Sequence, residues 1–80
     1  MEKKVTVLSI MIENIASAEE VNRILHESWE YIIGRMGIPY REKGINVICI
    51  VMDAPADTVN SVSGKIGKLN GVAAKTITSK

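Results

Sequence analysis

The chain has 80 residues, a formal net charge of +1, 46% hydrophobic residues and only 4% aromatics, with no phenylalanine. That composition predicts one small domain over residues 1–80 with an aliphatic core, near the size where self-association adds needed burial. It excludes an intramolecular disulfide, since Cys49 is the single cysteine and fits a reducing cytoplasm, and it gives no strongly basic surface for nucleic acid or anionic membrane.

Met1-Glu2-Lys3-Lys4 leads into a short alternating run, not a signal-peptide core, and no run reaches membrane-spanning length. Val5 to Ile12 alternates with period two, yet both faces are largely apolar: Val5, Val7 and Met11 on one, Leu8, Ile10 and Ile12 on the other. This predicts a central strand covered on both sides. Ser17-Ala18-Glu19-Glu20 reads as a capping box opening a helix, with Val21, Ile24, Leu25 and Ser28 as its apolar stripe. The helix is expected to end near Ser28, because Tyr31-Ile32-Ile33 favours strand and Gly34 and Gly37 are unfavourable inside a helix.

A strand is therefore expected from about Glu30 to Ile38, with Pro39 at its end and Arg41 to Gly44 as a polar turn. Ile45 to Met52 is a second strand with two apolar faces. Pro55 suits the first turn of a helix, and Asp57 its positive end. Val59, Val62, Ile66 and Leu69 form the buried stripe, Asn70-Gly71 closes the helix, and Val72 to Thr78 is the last strand. The order β-α-β-β-α-β predicts an α+β, ferredoxin-like fold: a four-stranded antiparallel sheet with both helices on one face. Its other face carries apolar side chains that call for a cover.

Ile32-Ile33-Gly34-Arg35-Met36-Gly37 imitates the glycine-loop signature of single-stranded RNA-binding KH domains. Such a domain needs a helix directly after the second glycine, where this chain has Pro39, and it ends on a helix where this chain ends on a strand. Gly64-Lys65 lacks the flanking residues of a phosphate-binding loop. His26 and Cys49 are the only soft metal ligands, too few for a transition-metal site within one chain, so no metal site is expected. No nucleophile–base pair shows a recognisable spacing, and no catalytic residue is expected. Glu19, Glu20, Glu27 and Glu30 near the first helix, against Lys65 and Lys68 near the second, read either as solvated faces or as partners between subunits.

Ile24-Leu25-His26-Glu27, then Ile32 to Gly44, then Ser63-Gly64-Lys65-Ile66-Gly67 resemble the small iron-only hydrogenase system regulators. These are free-standing ACT-like domains, similar to the ligand-binding half of nickel-responsive repressors. The resemblance spans almost the whole chain and implies an oligomeric regulatory domain that pairs with itself (homodimer or homotetramer); with the lone cysteine and no recognisable catalytic pair, a cytoplasmic, non-enzymatic module is expected. The resemblance further implies a small-molecule effector and a protein partner in the hydrogenase system. Two departures restrict it. Nickel-responsive repressors add a DNA-binding ribbon–helix–helix segment, whereas this sequence opens directly on its first sheet strand, so no direct DNA binding is expected. Tyr31 to Ile38 holds no histidine or cysteine, so nickel sensing does not carry over.

Many ACT domains place their ligand between the loop after the first strand and a neighbouring subunit. Transferred here, that position is Glu13 to Ser17. The expected pocket sets Asn14 and Ser17 of one subunit opposite Gly34, Arg35, Met36 and Gly37 of another; no cofactor identity follows. A module offering only a protein-interaction surface is the rival reading, and a KH-like RNA binder the third.

Overall fold

Lys3–Ile12 (β1) and Ile45–Pro55 (β3) pair at the centre of one antiparallel sheet, with Ile32–Tyr40 (β2) outside β3 and Val72–Thr78 (β4) outside β1. The computed structural model describes residues 2–80. Ala18–Glu27 (α1) and Ala56–Gly67 (α2) complete the order β-α-β-β-α-β. The strand order β2-β3-β1-β4, antiparallel throughout, is that of the ferredoxin-like fold expected from the sequence.

Period-two alternation decides which side chains meet the helices. Leu8, Ile10 and Ile12 of β1 and Ile48, Ile50 and Met52 of β3 are buried, as are Val21, Ile24 and Leu25 of α1 and Val59, Val62 and Ile66 of α2. Leu8 pairs with Ile50 and Ile10 with Ile48, which sets both rows on the helix side. Burying each such chain stabilises the fold by roughly 1.5–3 kcal/mol. Thr6 continues the same row and is also buried, its hydroxyl 3.2 Å from that of Thr78 on β4.

Three local expectations are corrected. Trp29–Tyr31 is a short 3-10 turn, so β2 begins at Ile32 rather than Glu30 and runs on through Pro39 to Tyr40. Pro39 is tolerated because β2 is an edge strand, where one side of the backbone has no partner. The register steps from Ile32–Met52 to Gly34–Val51, leaving Ile33 as the extra residue of a bulge.

The capping box does not form. Ile15–Ser17 is itself a 3-10 turn leading into α1, so Ser17 already has helical torsions (φ −86°, ψ −8°) instead of the extended ones a cap needs. Asn14 takes that role one turn earlier, its Oδ1 accepting from the Ala16 N–H at 3.1 Å. Ser17 Oγ donates to the Asn70 carbonyl at 2.7 Å, and Glu20 binds Arg23. Pro55 is likewise outside the helix: it ends β3 with extended torsions, and Ala56 opens α2.

Candidate functional site

The sheet face away from the helices is a near-complete apolar grid. Its rows follow from the register: Gly34, Val51, Val7 and Ile77; then Met36, Cys49, Ser9 and Lys75; then Ile38, Val47, Met11 and Ala73. Val5 and Tyr40 extend it at opposite ends. Six of these side chains are large and strongly exposed, with Ile77 at 74% and Met36 at 58%, followed by Met11, Ile38, Val5 and Tyr40. Ser9 and Lys75 interrupt the grid's rows with polar atoms, and Asp53 and the Tyr40 hydroxyl bring polar groups to its two ends. The two apolar faces expected for β1 and β3 are thus both real, one buried by helices and one bare.

A second feature lies on the helix side of the edge strand. Arg35 points toward α1, where its Nη2 donates to Asn22 Oδ1 at 2.8 Å. One depression of about 390 Å³ there is lined by Asn22, Leu25, His26, Trp29, Ile32 and Arg35. Another of about 270 Å³ shares Asn22 and Arg35 and continues along β2 past Gly37 and Pro39 to Asn46. Neither lining holds a carboxylate, whereas other depressions on the surface include Glu27 and Asp57, Glu2, or Glu13. Trp29 is 68% exposed.

The residues expected to form a ligand pocket divide between these places. Gly34 and Met36 lie on the open face, Arg35 and Gly37 on the helix side, because successive residues of β2 alternate. Asn14 and Ser17 sit by the Asn70–Gly71 turn that enters β4, the opposite edge of the sheet. One chain therefore does not bring the two groups together. The Gly34–Gly37 stretch is strand, so the helix and loop of a KH clamp are absent. His26 is exposed on α1, and Cys49 is half-buried in the middle row of the open face. Trp29 carried no motif in the sequence; its only signal was being the sole tryptophan, placed where a helix gives way to a strand.

Charge on α1 is largely settled within the helix. Arg23 Nη1 donates to Glu27 Oε2 at 2.7 Å, and the guanidinium also binds both carboxylate oxygens of Glu20. The Arg23 hydrogen bond holds the Glu20 carboxyl below its usual range. The acidic flank is therefore partly neutralised in place. It lies one helical face away from Asn22 and His26.

Fold and open face together define a small α+β domain of the ferredoxin-like class with one unpartnered sheet face. The chain belongs to the TM1266-like family, described as iron-only hydrogenase system regulator, whose model matches residues 4–76. It is similar along 99% of its length, and 100% of the other chain, to the uncharacterized protein TM1266 from Thermotoga maritima, with 35% identity and a TM-score of 0.94. A formyltetrahydrofolate deformylase from Pseudomonas putida KT2440 shares the fold alone, at 16% identity and a TM-score of 0.67, over 91% of this chain and 28% of that one. No curated protein matches the chain. The family resemblance read from Ile32 to Gly44 and its flanks stands, and with it a regulatory role.

Proposed function

We propose that this chain is a non-enzymatic regulatory module of the iron-only hydrogenase system that works in the cytoplasm as a homo-oligomer, with a second copy on its open sheet face. The bare grid carries this reading. Its six strongly exposed apolar side chains, with half-buried Val7, Val47 and Val51 between them, amount to roughly 600–800 Å². That exceeds the few hundred Å² a monomer usually shows and approaches one partner's share of a stable interface. The area is largely self-complementary in chemistry, aliphatic against aliphatic, with charge at its margins in Lys75 on β4 and Asp53 beside Val5.

A small effector at the subunit boundary belongs to the same reading, with Asn14 and Ser17 of one copy facing Gly34, Arg35, Met36 and Gly37 of another. Oligomerisation gives it its support, since only a second copy can unite the two groups. Native mass spectrometry of protein from its own host reads subunit number and retained ligand together. A dimer or tetramer is expected. A monomer at micromolar concentration that stays soluble would remove the basis of the proposal.

A further inference from the structure

Gly37 has no reason inside this chain to be glycine. A Cβ built there meets nothing within 4 Å, and its φ is not positive, which it shares with Gly34, Gly64 and Gly67; among these it alone borders the groove between α1 and β2. Glycine in a strand interior weakens it by roughly 0.5–1 kcal/mol relative to alanine. Such a residue suits a place where something from outside approaches the backbone. Gly37 borders the groove between α1 and β2, on the same side of the sheet as Arg35.

The groove offers three further groups in order. Trp29 presents an indole at one end, an aromatic surface that a flat ring can stack upon. Arg35 stands at the junction of the two depressions. Its guanidinium uses one N–H on Asn22 and has no ion-pair partner among the described residues, so the remaining donors are free for an anion. Beyond it lie the open backbone at Gly37 and the amide of Asn46. Neither lining contributes a carboxylate; in sequence, Glu19 lies one helical turn before Asn22, and Glu30 is next to Trp29.

We infer that the groove formed by Trp29, Arg35, Asn22 and Gly37 binds a mononucleotide, the base stacked on Trp29 and the phosphate held by Arg35. The site lies within one chain and does not rest on subunit pairing. One aromatic platform and one guanidinium match one base and one phosphate. A strand of nucleic acid would call for repeated stacking surfaces and a basic stripe, and the net charge of +1 supplies no such stripe.

Trp29 is the sole tryptophan, so its emission reports directly on stacking. The full chain is titrated with AMP and GMP, excited at the red edge of indole absorption to limit absorption by the bases. Adenosine, ribose phosphate and a short single-stranded oligoadenylate serve as comparison ligands. Saturable quenching by a mononucleotide is expected, with adenosine and ribose phosphate each about tenfold weaker. Arg35→Gln, which removes the guanidinium charge, should weaken AMP about tenfold and leave adenosine unchanged. Gly37→Leu should abolish binding by filling the second depression while circular dichroism stays native. No saturable quenching at millimolar nucleotide, or equal affinity in Arg35→Gln, overturns the inference. An oligoadenylate bound far more tightly than AMP overturns it in favour of nucleic acid. A buried-type emission that turns to the exposed type when the oligomer is diluted apart overturns it too, because a second copy then covers Trp29. Light scattering on the same samples reads the oligomer separately, so failure of one proposal is not mistaken for failure of the other.

Discussion

Gly71 and Asn14 touch across the loops at one end of the sheet: a Cβ added to Gly71 would lie 2.6 Å from the Asn14 Cβ and 3.0 Å from its backbone nitrogen. Gly71 also sits at φ +71°, and its carbonyl accepts from the Glu13 N–H at 2.7 Å. The turn after α2 thus clamps the loop after β1, and close approach and left-handed torsion both require glycine. Neighbouring Asn70 adds the bond from Ser17.

Gly71→Ala should destabilise the protein by about 2–4 kcal/mol, since backbone atoms of Asn14 must move as well as torsions strain. Gly44→Ala is the control. It shares a positive φ of 65° but meets open space, so about 1 kcal/mol is expected. Urea unfolding of both variants checks the difference; equal losses would mean that torsion alone matters and the contact with Asn14 does not.

Ser17→Ala should lower stability by about 1 kcal/mol through loss of one hydrogen bond between loops. Its signature is faster amide exchange in the Asn70–Val72 turn with exchange in α1 unchanged. A true capping serine would do the reverse, fraying the first turn of α1.

Charge placed on the open face separates fold from assembly. Ile38→Glu lies on the bare grid and should leave the circular dichroism spectrum native while light scattering shows a smaller species. Ile48→Asp is its counterpart on the helix side, where Ile48 is 7% exposed, and should unfold the chain because a buried unpaired carboxylate costs several kcal/mol. Retained assembly in Ile38→Glu would direct the search for the interface to the β2 edge.

Alternation made most of this fold legible. Leu8-Ile10-Ile12 and Ile48-Ile50-Met52 declare their buried side with Val7-Met11 and Val47-Val51 as the second apolar side, so even the bare grid is written in the sequence. What failed to show was local geometry fixed by distant residues. Ser17 looks like a cap until Asn70, far along the chain, supplies a better partner and the Ile15–Ser17 turn takes the capping position away. Pro39 looks like a strand end until the sheet order makes β2 an edge. The bulge at Ile33 decides which face each of Gly34, Arg35, Met36 and Gly37 occupies; the glycines of this strand admit a bulge, but nothing in Ile32-Ile33-Gly34 fixes its position. Trp29 enters a groove only because α1 stops one turn short of β2.

Glu20 supplies a pH-dependent test. Its carboxyl is held below the ordinary glutamate range, chiefly by the hydrogen bond from Arg23; partial desolvation opposes this, and the Arg23 charge adds the smallest contribution in the lowering direction. A folded-state value below the unfolded one means that the unfolded chain binds the proton more readily. The contribution to stability is therefore present above the unfolded value and disappears as pH falls through the folded one. Glu20→Gln should lower the melting temperature slightly at neutral pH, and the gap to the parent protein should close in acid. Because the pair is solvent-exposed, the gap should also shrink in molar salt, where screening is strong. Melting curves at neutral and acidic pH, each with and without salt, check this. A gap that widened toward acid would show that Glu20 acts through something other than its ion pair with Arg23.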